Sequence, residues 1–476
     1  MKKIYSLLIA VLILLSPIIL KAQYSSSNVT LIGNWYNPAQ PAEPAYGIKY
    51  NSVWGWVDAA HGNKEYAILG SGLGTHFIDI SVPSNPVEKD FVSGFRTGCI
   101  WREYKTYGNY LYAISDDPVP NSFQIIDMSY LPDSVHVVYD GNTIFERAHT
   151  LYVDGDKLYI GSMKEHLPGG IATSMAVYSL ANPELPVLLH TLTPDDPTIT
   201  WVHDMFVRND TVYASCGYQG LFIYKYNTGA NNFSTINSLT SYVDQGYNHS
   251  SALTPDAKTL VFCDEVPAGK VVKILDVSDI TNIAMADTIN SHFGATAHNP
   301  YVIGNSRAVI ASYQDGLQIY DISNPTNVSI TGFFDTDTLH GTNDGFPSSN
   351  TYHGAWGAYV DLPSGLILSS DMQNGLYIFD ATAALGVHEN PATSNSVIVY
   401  PNPSTSDFSV AFKLVHGDEL TFQLYDISGK KVISKTESLS SGYTVKSIAT
   451  QNLAKGIYLL KISGKEISFT QKIIKD

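Results

Sequence analysis

Cysteine is nearly missing from this chain: Cys99, Cys216 and Cys263 are the only three in 476 residues. At most one disulfide could form, and the spacing fits no metal-binding motif. The three read as buried free thiols, which pack as small hydrophobes. Charge is also sparse, at 15% of residues, while 44% are hydrophobic. That balance excludes a disordered chain and indicates a globular one. Positive charge is scarcest: 28 Lys and Arg stand against 44 acids, for a net −16. The deficit is uneven. Residues 389–476 hold ten Lys, no Arg and eight acids, whereas residues 23–388 carry −21. Such a surface repels phosphate backbones and excludes nucleic acid as a partner.

Long apolar runs are confined to "IYSLLIAVLILLSPIIL" (4–20), which follows Lys2 and Lys3 and leads into "KAQ". This reads as a secretory signal peptide over 1–22, cleaved after Ala22. The competing reading is an N-terminal membrane anchor, for which the run is barely long enough. No Cys follows it to take a lipid, and no later stretch could cross a bilayer, so the mature chain has no transmembrane span. No segment between 30 and 385 has a convincing amphipathic helical period. Nucleophile elbows, HExxH helices and phosphate loops are missing as well. The acidic pairs in "DGD" (154–156) and "DTDT" (335–338) lack the ligand series of a calcium loop and read as turns.

What the chain has in plenty is 31 Tyr, 36 Gly and 23 Pro, a composition of strands and turns. It also repeats itself. "GLQIYDISNP" (316–325) has counterparts in "HFIDISVPSNP" (76–86), "SFQIIDMSYLP" (122–132), "SMAVYSLANP" (174–183), "GLFIYKYNTG" (220–229), "VVKILDVSDI" (271–280) and "GLYIFDATAA" (375–384). Aligned on Asp321, the series runs Asp79, Asp127, Ser179, Lys225, Asp276, Asp321, Asp380, with steps of 48, 52, 46, 51, 45 and 59 residues. Each unit holds four strand-like pieces. In the third they are "HTLYV" (149–153), "KLYIGS" (157–162), "SMAVYSL" (174–180) and "PVLLHTL" (186–192), joined by hairpin turns. A lone four-stranded sheet leaves both faces wet, and radial stacking covers them. The expectation is therefore an all-β chain with a seven-bladed β-propeller. After "GLYIFD" (375–380) no fourth strand follows, but "NVTLIGNW" (28–35) resembles one, as in "NVSITGFF" (327–334). Residues 28–35 are expected to close the last blade and hide its edge.

The repeated strand resembles the LVIVD repeat of secreted bacterial and archaeal proteins, over about 30–385. Ser179 and Lys225 depart from its Asp, which puts a shared role for that Asp in doubt. The resemblance implies a propeller over 23–388 but no particular activity. Beyond a polar linker, "ENPATSNS" (389–396), lie "YPNP" (400–403), "DISGK" (426–430), "LAKGIYLLKI" (453–462) and a basic end. These alternating strands suggest a small Ig-like β-sandwich over 397–476. Their order and spacing resemble the C-terminal sorting domain of the type IX secretion system of Bacteroidetes. That resemblance implies the type IX machinery as a partner, passage across the outer membrane, removal of the tail, and release or surface attachment.

One repeat position carries chemistry. Strand A of five units starts at a histidine: His149, His203, His249, His298 and His353. Arg102 and Trp56 stand there in the second and first units. In antiparallel blades these starts share the channel mouth with the loops that bear Asp116, Asp117, Glu165, Asp264, Glu265, Asp315 and Asp371, and with Asp204 next to His203. The ring could hold a divalent metal or a carboxylate. Equally, each histidine could bond a neighbouring blade's backbone and lock blade to blade. Trp54, Trp56, Trp101, Trp201 and Trp356 lie near the same starts, as packing or as a platform for sugars. Two functions follow: a binding or display protein for an extracellular glycan or protein, or a metal-assisted hydrolase or lyase. The residues name no cofactor and no catalytic set, so the binding reading leads.

Overall fold

The computed structural model of the protein describes residues 24–117, 119–165, 169–291, 294–337 and 352–386, and most of 398–475. The signal peptide and the linker at 389–396 lie outside the described residues. The chain divides into two compact units, one ending at Gly386 and one beginning at Val387.

The first unit is all-β. Among the described residues it forms seven antiparallel sheets, each of four strands except the sixth, which gains a fifth from Ser26–Ser27. The first strands of the sheets are Tyr50–Asp58, Arg102–Tyr107, Thr150–Asp154, Asp204–Arg208, Asn248–Leu253, Asn299–Ile303 and Ala355–Tyr359. In the seventh sheet the fourth strand is Thr30–Trp35, paired with Gly375–Asp380 from the far end of the unit. The seventh repeat's own chain turns instead into one helical turn, Thr382–Leu385, ended by Gly386 in the left-handed region.

The repeat has a visible cause in each sheet. Every pairing of third with fourth strand slips register once, at the corresponding step: Phe77/Ile78, Val137/Tyr139, Val177/Tyr178, Ile223/Tyr224, Ile274/Leu275, Ile319/Tyr320 and Leu31/Gly33. Such bulges increase the local twist of the outer edge. The aligned Asp closes the turn that follows. Asp79, Asp127, Asp276, Asp321 and Asp380 each accept, through Oδ1, the backbone N–H two residues on, at 2.8–2.9 Å. Ser179 keeps that role, its hydroxyl accepting from Ala181 N–H at 3.2 Å. Lys225 does not; its ammonium donates to the Asn209 carbonyl instead. The Asp is thus an Asx-turn residue, a job its short acceptor side chain suits.

Burial follows the strand period. Inner strands are buried on both faces: Lys64–Ser71, Gly74–Asp79 and Thr259–Asp264 are almost wholly enclosed. The apolar residues gather between sheets. Tyr112, Ile114, Phe123 and Ile125 pack on Leu151, Leu158, Ile160 and Tyr178 of the next sheet. Equivalent clusters lie between each consecutive pair, and another joins the seventh sheet to the first through Tyr50, Val53, Leu69, Leu368, Leu376 and Ile378. Buried tyrosines tie the sheets with their hydroxyls: Tyr112 donates to Pro183 O at 2.9 Å and Tyr159 to Asp210 at 2.7 Å. The three cysteines are buried and free, and burial pushes the Cys216 and Cys263 thiols far up.

The second unit has a three-stranded sheet (Ile398–Tyr400, Phe408–Leu414, Gly442–Ile448) and a four-stranded one (Lys431–Leu439, Asp418–Asp426, Gly456–Ser463, Ser468–Lys475). Alternate residues Phe408, Val410, Phe412 and Leu414 meet Leu420, Phe422, Leu424, Leu460 and Ile462 in one core. Period-two burial across two antiparallel sheets is what a small sandwich requires.

Candidate functional site

His149, His203 and His298 stand immediately before the first strands of their sheets, and His249 lies within Asn248–Leu253. His249 falls at a register slip between Asn248 and Ser250, which takes it out of the ladder. The four rings form an unbroken row, with centroids 4.1, 4.2 and 4.1 Å apart. Trp356 continues the row 4.8 Å from His298, and Trp101 flanks the other end 6.3 Å from His149. Together they line a cavity of about 90 Å³ with Glu103, Thr150, Asp204, Glu265, Asn299 and Tyr352. A second cavity, of about 160 Å³, shares Glu103, Asp204 and Asn299 with it. Its wall is aromatic, with Trp54, Tyr152, Phe206, Tyr301 and Tyr359, and Lys105 sits 4.3 Å from the Trp54 ring.

The hydrogen bonds fix the imidazole tautomers. His203 Nδ1 lies 3.1 Å from the His249 carbonyl, and His298 Nδ1 lies 2.7 Å from the Trp356 carbonyl. A carbonyl only accepts, so both Nδ1 atoms carry the proton. His249 Nδ1 lies 3.0 Å from Ser250 Oγ, whose own proton goes to the His298 carbonyl at 2.6 Å. Ser250 must therefore accept, and His249 is also protonated on Nδ1. His203 and His298 thus bond the next sheet directly through Nδ1, His249 reaches it through Ser250 of its own strand, and all three keep a lone pair on Nε2. Locking to a neighbour therefore leaves the other nitrogen of the same ring available to a ligand.

Charge is distributed unevenly along the row. Burial drives His203 and His249 well below the ordinary imidazole value, and takes His298 down to about 3. Burial works against the charged form of His149 too, but Asp116 at 2.6 Å, with Glu103 and Asp204, outweighs it and holds that ring above the usual value. Burial raises Glu103, Asp204 and Glu265. Glu265 is held by Tyr313, whose hydroxyl donates to Oε1 at 2.6 Å. Its other oxygen lies 3.8 Å from His249 Nε2.

The remaining sequence candidates sit elsewhere. Arg102 is one residue past the row; Trp101 occupies that place, and Arg102 donates to Ser71 O at 2.9 Å and Arg96 O at 3.2 Å. His353 is three residues early. Trp356 takes the place, at a register slip like that of His249. At Trp356 the physical reason is the bulge, which lets that residue leave the ladder, whereas Trp101 simply precedes its strand as His149 and His203 do. Asp264 is fully buried in an ion pair with Lys273 at 3.0 Å, and accepts from Tyr242 and Gly246 N–H. Glu165 accepts from Ile171 N–H at 2.9 Å. Asp371 accepts from Gln373 and Asn374 N–H in a turn. Asp315 accepts from the Ser291 hydroxyl, and Asp117 from the Ile100 and Trp101 N–H groups. Trp56 is core, Trp201 is exposed beside His149, and Trp54 belongs to the second cavity. Glu103, Tyr313 and Tyr352 were missed. Glu103 stands two residues beyond Trp101, so the strand period could have found it; the tyrosines had no signal.

Set against known proteins, the chain finds no match among the curated ones. Many solved structures resemble it distantly, among them these two. One is PorZ, described as an essential bacterial surface component of the type IX secretion system of Porphyromonas gingivalis: 11% identity, 87% of this chain and 67% of that one covered, TM-score 0.39. The other is the N-terminal domain of Nup159: 12% identity, 74% and 94% covered, TM-score 0.44. Among the described residues no helix is long and apolar enough to cross a membrane. Residues 398–476 match the secretion system C-terminal sorting domain, and that module makes this a protein addressed by the type IX machinery to the cell exterior, whether secreted, displayed at the surface or attached to the outer membrane.

Proposed function

We propose that the first unit is a closed seven-bladed propeller that binds an extracellular ligand at the histidine-lined mouth of its central channel. In this reading the seven sheets are blades of LVIVD-like repeats, exported with the help of the sorting domain. Closure is supported by contacts that run between first strands all the way round, from Tyr50–Asp58 through each sheet to Ala355–Tyr359 and back. It is also supported by the pairing of Thr30–Trp35 with Gly375–Asp380, which joins both ends of the unit in one sheet.

The observation that carries the binding reading is Trp356. Its indole Nε1–H is buried and has no hydrogen-bond partner among the described residues, yet the side chain lines the cavity. Buried donors are almost always satisfied, because an orphan costs about 1–3 kcal/mol. The same wall presents the lone pairs of three histidines whose other nitrogens are engaged. A cavity of about 90 Å³ admits a terminal group rather than a whole ligand. The ligand is then the oxygen-rich end of an extracellular glycan or peptide, an acceptor placed against Trp356 with the rings of Trp101 and Tyr352 beside it.

Tryptophan fluorescence tests this directly. Short oligosaccharides and carboxylate-terminated peptides are titrated into the purified protein. A saturable change in emission, lost in Trp356→Phe at unchanged melting temperature, supports the reading. Indifference to the whole panel, or a response that survives Trp356→Phe, removes it.

A further inference from the structure

From the row of histidines we infer that His203, His249 and Glu265 form a binding site for one divalent first-row transition ion. The inference rests on the channel mouth being a binding site and names what is bound there first. One ligand atom from each of the three residues lies within 4.8 Å of the others. The bonds already described decide which atoms these are. Nδ1 of His203 and of His249 is spent on the His249 carbonyl and on Ser250. What remains on each ring is Nε2 with its lone pair, the form in which imidazole ligates metals.

The arrangement is odd without a cation. His249 Nε2 faces Glu265 Oε2 at 3.8 Å, too far for a hydrogen bond, and in this tautomer both are acceptors. Facing acceptors in a buried site need a donor or a positive charge between them. A metal at about 2.0–2.2 Å from each would bridge them after a contraction of well under an ångström on each side. The outer partners are also in place. Each ligating imidazole has its second nitrogen bonded, and Tyr313 anchors the far oxygen of Glu265 at 2.6 Å. Such partners set tautomer and orientation in metal sites. Two neutral imidazoles and one carboxylate suit zinc or its neighbours rather than calcium or magnesium, which take oxygen sets. They also leave a net positive centre with open positions towards the cavity, which favours an anionic oxygen donor as the next ligand.

The test uses the full chain, stripped with a chelator and then titrated with zinc alone or cobalt(II) alone. The expected result is one ion per chain, visible cobalt absorption of a nitrogen–oxygen site, and a rise in melting temperature on loading. Glu265→Gln keeps an acceptor for Tyr313 and should abolish loading, as should His249→Ala. Tyr313→Phe, a positioning change, should weaken zinc by about 10–100-fold. His353→Ala and Glu165→Gln, outside the cavity, should load like wild type. Circular dichroism of each metal-free variant checks folding, and Glu265→Gln carries the test should His249→Ala not fold. Folded wild type that takes up no ion, or Glu265→Gln that still loads, overturns the site. In that event a ligand response that still depends on Trp356 shows that the mouth binds without metal, whereas loss of both removes the binding reading as well.

Discussion

His298 Nδ1 and the carbonyl oxygen of Trp356 are 2.7 Å apart, a bond between the sixth and seventh sheets made by a ring that also lines the cavity. Asn299 Nδ2 donates to the same carbonyl at 3.0 Å. Replacing His298 by Ala should therefore cost about 1–3 kcal/mol rather than more, because Trp356 O keeps one donor. His298→Asn, which restores a short N–H donor, should recover part of it. Denaturant unfolding of the three proteins at pH 7.5 measures the series, and equal stability of all three would show that the bond carries no weight.

The same residue should give a pH signature. Burial takes His298 down to about 3, whereas an unfolded histidine titrates near 6.5. Between those values the unfolded chain binds a proton that the folded one refuses, so the histidine's contribution falls as pH falls, by about 1.4 kcal/mol per unit. His203 and His249 share this sign. His149 has the opposite one: its raised value gives stability that is full below about 6.5 and lost as pH rises through the folded value. Glu103, Asp204 and Glu265, raised by burial, also lose stability as pH rises. The total profile therefore mixes signs, and the difference between wild type and His298→Asn isolates one group. The deficit of the variant at pH 7.5 should shrink steadily towards pH 4.5; a constant deficit would refute the assignment.

Closure can be tested at one glycine. A Cβ on Gly33 would overlap the Pro83 carbonyl oxygen in the turn of the first sheet. Gly33→Ala should push Thr30–Trp35 away from that turn and destabilise by about 1–3 kcal/mol. Gly229, with open space around its missing Cβ, serves as the control and should tolerate Ala. Melting temperatures of the two variants decide the matter.

Asp264 separates structure from site. It is paired with Lys273 where neither side chain is exposed. Asp264→Ala would leave a buried unpaired ammonium, at a cost of about 3–5 kcal/mol. Zinc uptake by the folded fraction should be unchanged, because Asp264 lines neither cavity. Loss of zinc uptake at full folding would move Asp264 into the site.

Export should depend on the tail. A chain lacking 398–476 should fold, since the first unit is compact by itself, yet stay inside the outer membrane. Fractionation in a bacterium with type IX secretion, followed by mass spectrometry, should find truncated protein in the periplasm. It should find mature wild type outside, starting at Gln23 and without most of the tail. Truncated protein in the medium would contradict this.

Strand content, the near-fifty-residue period and the sorting tail were legible in the sequence because each is local. Alternation, turn residues and "YPNP" or "DISGK" are read from neighbours along the chain. The role of the repeated Asp is local too, as a turn acceptor that Ser179 can replace and Lys225 cannot. The distant pairing of Thr30–Trp35 was visible as a missing fourth strand after Asp380. The arrangement of the candidate site was only half visible. Recurrence identified His149, His203, His249 and His298, but bulges move a residue out of the ladder by amounts that counting cannot follow. Trp356 therefore holds the place that the count assigns to His353, and Trp101, one residue before its strand, the place assigned to Arg102. Which nitrogen of His203 and His298 keeps its lone pair, and that Tyr313 holds Glu265, depend on contacts between sheets dozens of residues apart, and that Glu265 rather than Asp264 faces His249 depends on how one strand pair ends. No local pattern encodes those distances, so the tertiary structure alone decided them.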